Sequence, residues 1–196
     1  MILYHGTSIK NADKIMDEGF KDRVDAGIDN WTHTISSHKG FVYLTLVYPF
    51  YFAQAAAQEG DKKASIIQVE VNDEDIYPDE DFLLQAMKSS GANVDVKDIR
   101  EFKHCGMLSL ENLGNCAVKF DKIKPLKRKD FKIIDMFAYS DPCISLENFM
   151  IMSEYYKELV RRWWNGEDYT TMNQMEFINK SLLAHNERMN KNENNS

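Results

Sequence analysis

Ile2-Leu3-Tyr4-His5-Gly6-Thr7-Ser8-Ile9 opens the chain with a change of period. Ile2, Leu3 and Tyr4 are a short apolar and aromatic run, which reads as a buried strand. His5, Gly6 and Thr7 end that run and predict a tight turn. From Ser8 the spacing becomes helical, with Ile9, Ala12, Ile15 and Met16 on one face. Ser8 is placed to cap this helix, Gly19 to supply the left-handed position after it, and Phe20 to make the hydrophobic contact beyond. Strand, turn and helix thus fill residues 2–19. A histidine at the end of a buried strand points into whatever cleft lies there, and the next glycine lets a ligand approach the backbone closely. The other reading of the same residues is a turn with a satisfied histidine.

Outward from this stretch, residues 21–40 have no period and predict a long loop. Phe41-Val42-Tyr43-Leu44-Thr45 is rich in β-formers, and alternation sets Phe41, Tyr43 and Thr45 on one face. An aromatic ring there can stack on a flat heteroaromatic ligand, or belong to the core. Pro49 suits the first turn of a helix running through Tyr51 to Gln58 and ending at Gly60. Ala64 to Val71 alternates as a strand. Asn72 to Asp81 reads as an acidic turn containing Pro78, and Phe82 to Met87 as a short helix. Residues 92–114 fit no pattern. Cys116 to Phe120 reads as a strand and Phe131 to Ile134 as a last one. Leu146, Phe149, Met152, Tyr156, Leu159 or Val160, and Trp163 form a helical stripe closed by Gly166. Thr171-x-x-Gln174 fits a capping box for a second helix through Met175, Ile178, Leu182 and Met189. The division is a mixed domain over residues 1–135, a helical appendage over 136–189 and a disordered tail over 190–196.

The chain has 196 residues and a formal net charge of −7, which excludes a generally basic protein that holds nucleic acid by bulk charge. The acidic excess lies in residues 1–100, with seven acids between Glu70 and Asp81. That window lacks the glycine and spacing of a calcium loop and reads as a solvated turn. Lys122, Lys124, Lys127, Arg128, Lys129 and Lys132 form the opposite patch. It can track a nucleic-acid backbone or be a solvated strand exit. Arg161-Arg162-Trp163-Trp164 can stack on bases or dock a helix. Cys105, Cys116 and Cys143 make no disulfide framework and suit a reducing compartment. His33, His38, His104 and His185 make no metal set, and no CxxC pair is present. A Cys–His nucleophilic pair has no local signature. No apolar run approaches the roughly 20 residues that span a bilayer, so a soluble cytoplasmic protein is expected.

Strand–His-Gly-Thr–helix–loop–strand–Tyr-x-Thr–helix is an informative order. It resembles the ADP-ribosyltransferase superfamily, in its diphtheria-toxin and poly(ADP-ribose)-polymerase-like branch, over about residues 1–135. The matching residues are His5 with Gly6 and Thr7, Tyr43 within Gly40 to Thr45, and Tyr51 in the next helix. Val118-Lys119-Phe120 and Ile123-Lys124-Pro125 resemble the late strand and its exit. Trp31 and Thr34-Ile35-Ser36-Ser37-His38 resemble bacterial and phage members. The resemblance implies an α+β fold with a split β-sheet core, flanking helices and a C-terminal two-helix appendage. It implies NAD as substrate, His5, Tyr43 and Glu111 as catalytic residues, and Tyr4, Gly6, Thr7, Ser37, Thr45 and Tyr51 around the NAD. His5 would hold the ribose 2′-hydroxyl, Gly6 the carboxamide, and Tyr43 and Tyr51 the nicotinamide ring. The group's late-strand glutamate falls at Asn115 or Cys116, neither acidic. Glu111 is the expected substitute, with Glu101 a lesser one and Glu80 and Asp81 projecting from a loop near the site, and a surface helix-cap glutamate is its alternative. The implied activity is transfer of one ADP-ribose to nucleic acid or protein, in a toxin or an effector of phage–host conflict. The C-terminal helices would receive an antitoxin or other protein partner. The rival expectation is a catalytically inactive module of the same fold that binds NAD, an ADP-ribose-like ligand or a protein.

Overall fold

A computed structural model describes residues 1–22, 39–57, 61–79, 91, 103–133, 146–173, 176, 179 and 183, with 146–151 by backbone alone. The fold is α+β. Its strands are β1 (Ile2–Ser8), β2 (Phe41–Thr45), β3 (Lys63–Glu70), β4 (Ile76–Pro78), β5 (Asn115–Lys119) and β6 (Lys124–Lys132). Its helices are α1 (Ile9–Glu18), α2 (Pro49–Ala56), α3 (Gly106–Leu113) and α4 (Leu146–Asn165). The strands form one antiparallel sheet in the order β4-β5-β2-β1-β3-β6. Among the described residues, no helix is long and apolar enough to cross a membrane.

β1 continues through His5, Gly6 and Thr7 instead of turning there. The cause is its partner: β1 pairs with β3 at every residue from Ile2↔Glu70 to Ser8↔Ala64. A complete ladder overrides the turn preference of a Gly-Thr step. Ser8 then caps α1 directly, its hydroxyl accepting the Asn11 N–H at 3.3 Å. Gly19 ends α1 at φ 77° and donates to the Ile15 carbonyl. On its other side β1 meets β2 at one position only, Tyr4↔Thr45. Continuing that register would set Gly6 opposite Tyr43, and that pair is not made.

Both faces of the sheet are covered. Leu3, Val42, Leu44, Ile67, Val69, Cys116 and Val118 pack with Ala12 of α1 and with Phe20. On the opposite face Ala64 and Ile66 pack with Phe50 and Ala53 of α2 and Val160 and Trp163 of α4. Phe50, Phe131 and Trp163 meet edge to face at 5.0–6.2 Å. Helix α4 therefore shares the core of the sheet, and Trp163 docks it at 6% exposure. Gly6 sits where α2 crosses β1, and a Cβ there would come within 2.1 Å of the Pro49 oxygen. The glycine serves the approach of a helix on that side of the strand.

The short helix expected at Phe82–Met87, the cap at Gln174 and the tail at 190–196 lie outside the described residues. Asn173 Oδ1 accepts the Glu176 N–H at 3.4 Å.

Two outcomes follow from this packing. Gly6→Ala should cost about 3 kcal/mol by overpacking and lower Tm by about 10 °C, read by thermal denaturation. On α4, hydrogen bonds from Arg161 and Arg162 hold Glu158 down at about 2. A folded value below the unfolded one stabilises above the ordinary carboxylate range and is lost as pH falls towards 2. Acid titration of Glu158→Gln should therefore show a shallower loss of stability below that range than the unsubstituted chain.

Candidate active site

The open junction of β1 and β2 is bridged by a side chain. His5 Nδ1 lies 3.1 Å from the Tyr43 carbonyl. A carbonyl only accepts, so Nδ1 carries the hydrogen, and in the neutral ring Nε2 is then the acceptor nitrogen. The imidazole also meets the Phe20 ring edge to face at 5.2 Å. His5 and Tyr43 are both half-buried. Alternation puts His5 on the α1 face and the Tyr43 ring on the other, so they meet through the Tyr43 main chain. The Tyr43 ring packs with Phe41, Ala117 and Tyr77. The Lys103 ammonium lies 5.2 Å from the centre of the Tyr77 ring.

Of the other expected ligand residues, Tyr4 and Thr45 face each other across β1 and β2. Tyr4 tilts against Trp164 at 5.5 Å, and burial raises its phenol while a bond to Gln68 opposes the rise. Thr7 is buried at 2% exposure opposite Ser65. The Thr45 hydroxyl donates to the Gly114 carbonyl at 2.9 Å and accepts the Val47 and Tyr48 N–H groups at 3.0 Å each. It thereby closes the turn into α2, a task signalled by Thr45 standing four residues before Pro49. Tyr51 packs on the cluster of Tyr48, Leu113, Tyr155 and Leu159, apart from the ring cluster of Tyr43. Ser37 lies outside the described residues.

The start of β5 carries a buried polar group. Glu111 is on the exposed side of α3, while its neighbour Leu110 is buried. Cys116 is fully buried, and burial, with a smaller contribution from the Asp79 charge, pushes its thiol far up. A thiol held protonated in the core is no nucleophile. Asn115 is 1% exposed, and neither amide atom has a hydrogen-bond partner. Ser109 links its backbone to the end of β4, accepting the Asp79 N–H at 3.1 Å and donating to the Asn115 carbonyl at 3.0 Å. Asp79 is itself only 6% exposed. The solvated-turn reading of the acidic window does not hold at Asp79. The available signal was Ile76-Tyr77-Pro78, an apolar run that becomes β4. Glu80 and Asp81 lie outside the described residues.

The two charged motifs near the C-terminus have structural partners. β6 is the outer strand of the described sheet, where lysines discourage edge-to-edge pairing. Arg128 is held by Asp13 and Asp130, Lys129 by the carbonyl and ring of Trp163, and Lys124 lies 3.8 Å from Glu70. Arg161 pairs with Glu158 and Glu167.

Iodoacetamide applied to the folded protein should modify partly exposed Cys105 and spare Cys116, with peptide mass spectrometry as the readout. Rapid labelling of Cys116 would contradict the buried, protonated thiol.

Comparison of the chain with protein-family models, with curated proteins and with solved structures finds no match.

Proposed function

We propose that the chain is an NAD-consuming enzyme that transfers one ADP-ribose to a macromolecule and releases nicotinamide. The observation that carries this reading is the His5–Tyr43 bridge across a β1–β2 junction held by a single ladder position. It brings the two residues of the sequence resemblance together beside a break in the sheet. It also fixes the histidine tautomer needed to accept a hydrogen from a sugar hydroxyl.

In the proposed reaction the bond between nicotinamide nitrogen and ribose carbon breaks, and its electron pair leaves with neutral nicotinamide. Positive charge builds on the ribose, and the acceptor attacks the same carbon and loses a proton. The Tyr43 ring would hold the departing nicotinamide by stacking, and His5, whose imidazole lies on the other face of the sheet, would hold a ribose hydroxyl through the open β1–β2 junction. Fixing both halves of the breaking bond turns binding energy into alignment. With Asn115 and Cys116 at the head of β5 and Glu111 on the outer side of α3, no carboxylate is assigned to activate a further sugar hydroxyl. Transfer should therefore stop at one ADP-ribose per acceptor group. Pairing within the fold engages Lys124, Arg128 and Lys129 of the basic strip, so its support for a nucleic-acid acceptor is reduced. The proposed setting, a toxin or phage–host effector, rests on the resemblance alone.

The absent acid also favours a second reading, a module that binds NAD without turning it over. Nicotinamide release by purified protein, alone and with RNA or lysate, separates the two. The enzyme reading expects turnover that falls at least about 100-fold in His5→Ala and Tyr43→Ala, with circular dichroism unchanged. It expects no change in Glu111→Ala. Saturable NAD binding without nicotinamide release under any condition would establish the binding module instead.

A further inference from the structure

We infer that the Asn115 side-chain amide is a ligand-reading group for the part of the substrate that enters deepest beside Tyr43. The inference rests on the NAD reading and adds to it a residue and the kind of group that residue recognises. Asn115 begins β5, stands opposite Thr45 in the ladder and is 1% exposed. Its Oδ1 and Nδ2 are both unpartnered. Buried polar groups are nearly always hydrogen-bonded, so a whole orphaned amide calls for a partner that arrives from outside the fold.

The neighbouring polar groups are already committed. The Thr45 hydroxyl makes three hydrogen bonds to backbone groups. The Ser109 hydroxyl is used between the Asp79 N–H and the Asn115 carbonyl. Directly paired residues share a face, so Asn115 lies on the Tyr43 side of the sheet. Tyr43 pairs with Ala117, which makes Asn115 its diagonal neighbour, at about 7–8 Å between Cβ atoms. A flat ring stacked on Tyr43 would carry its substituents toward the Asn115 side of β5.

An amide offers one acceptor and two donors. Its complement is a neutral group that both donates and accepts. A primary carboxamide meets it with two parallel hydrogen bonds, and a sugar hydroxyl donates to Oδ1 while accepting from Nδ2. An anionic group is disfavoured, because it cannot donate to Oδ1 and would enter beside buried Asp79.

The test compares the unsubstituted chain with Asn115→Leu and Asn115→Ala by calorimetric titration with NAD, nicotinic acid adenine dinucleotide and ADP-ribose, and by thermal denaturation. Leucine has nearly the same shape and no polar atoms. Asn115→Leu should raise Tm by about 2–4 °C and weaken NAD at least about tenfold, equivalent to about 1.4 kcal/mol. Asn115→Ala should show the same loss of affinity, which keeps the test decisive if the leucine variant does not fold. A carboxamide partner predicts a preference for NAD over its nicotinic acid analogue that disappears in both variants. A hydroxyl partner predicts equal weakening of all three ligands. Unchanged NAD affinity in a folded variant overturns the inference, as does a lower Tm with affinity kept. An unsubstituted chain that binds none of the three ligands overturns the NAD reading itself, and this inference with it.

Discussion

The site depends on an asymmetry in the pairing of β1. On one side β1 is locked to β3 by an unbroken ladder, and on the other it touches β2 through Tyr4↔Thr45 alone. A strand inside a sheet ordinarily satisfies its backbone on both edges. Here a side chain takes part of that work, with the His5 imidazole donating to the Tyr43 carbonyl. The sheet can open at this junction because β3 and α2 hold β1 in place from elsewhere. Gly6 permits the α2 contact, since any Cβ would strike the backbone at Pro49 and Ala53.

Much of this was legible in the sequence, for reasons that differ by element. α1, β2, α2, β3 and α4 carry strong periods or clear stop signals, and their cores follow from them. β1 was found but ended too early, because its extension depends on β3, some sixty residues away. β4 has three residues and a proline, too little for alternation to register. β6 was reduced to its last residues because its lysines mask the apolar side chains, a cost of being an edge strand. For the site, His5 and Tyr43 were legible as residue types. That they meet through a main-chain carbonyl was not, since alternation sends their side chains to opposite faces. The turn-closing bonds of Thr45 are invisible without the α2 geometry.

The electrostatic asymmetry of the chain also changes meaning once folded. The total of −7 was informative only against bulk nucleic-acid binding. Within the acidic window, Asp73 and Glu74 are solvated while Asp79 is buried at the end of β4. One run of like residues therefore contains both surface charge and a group able to influence the site. The basic strip divides in the same way, into cations that fasten β6 to α1 and α4 and cations left to solvent. Composition cannot make either division, because it is decided by the side of a strand on which each residue falls.

The head of β5 places an amide where a carboxylate would meet a second buried acid. A carboxylate at Asn115 would be buried opposite Thr45 and close to Asp79, and two like charges in that setting would hold one of them protonated. The amide avoids this conflict and keeps hydrogen-bonding capacity at the same position. It also carries a cost, because both amide atoms lie unpaired in the interior. A leucine would fill similar space without that cost, so packing alone does not account for an asparagine. What the amide offers and leucine lacks is the ability to recognise a neutral polar group. If Asn115 reads a ligand as inferred above, stability and recognition make opposite demands at this one residue.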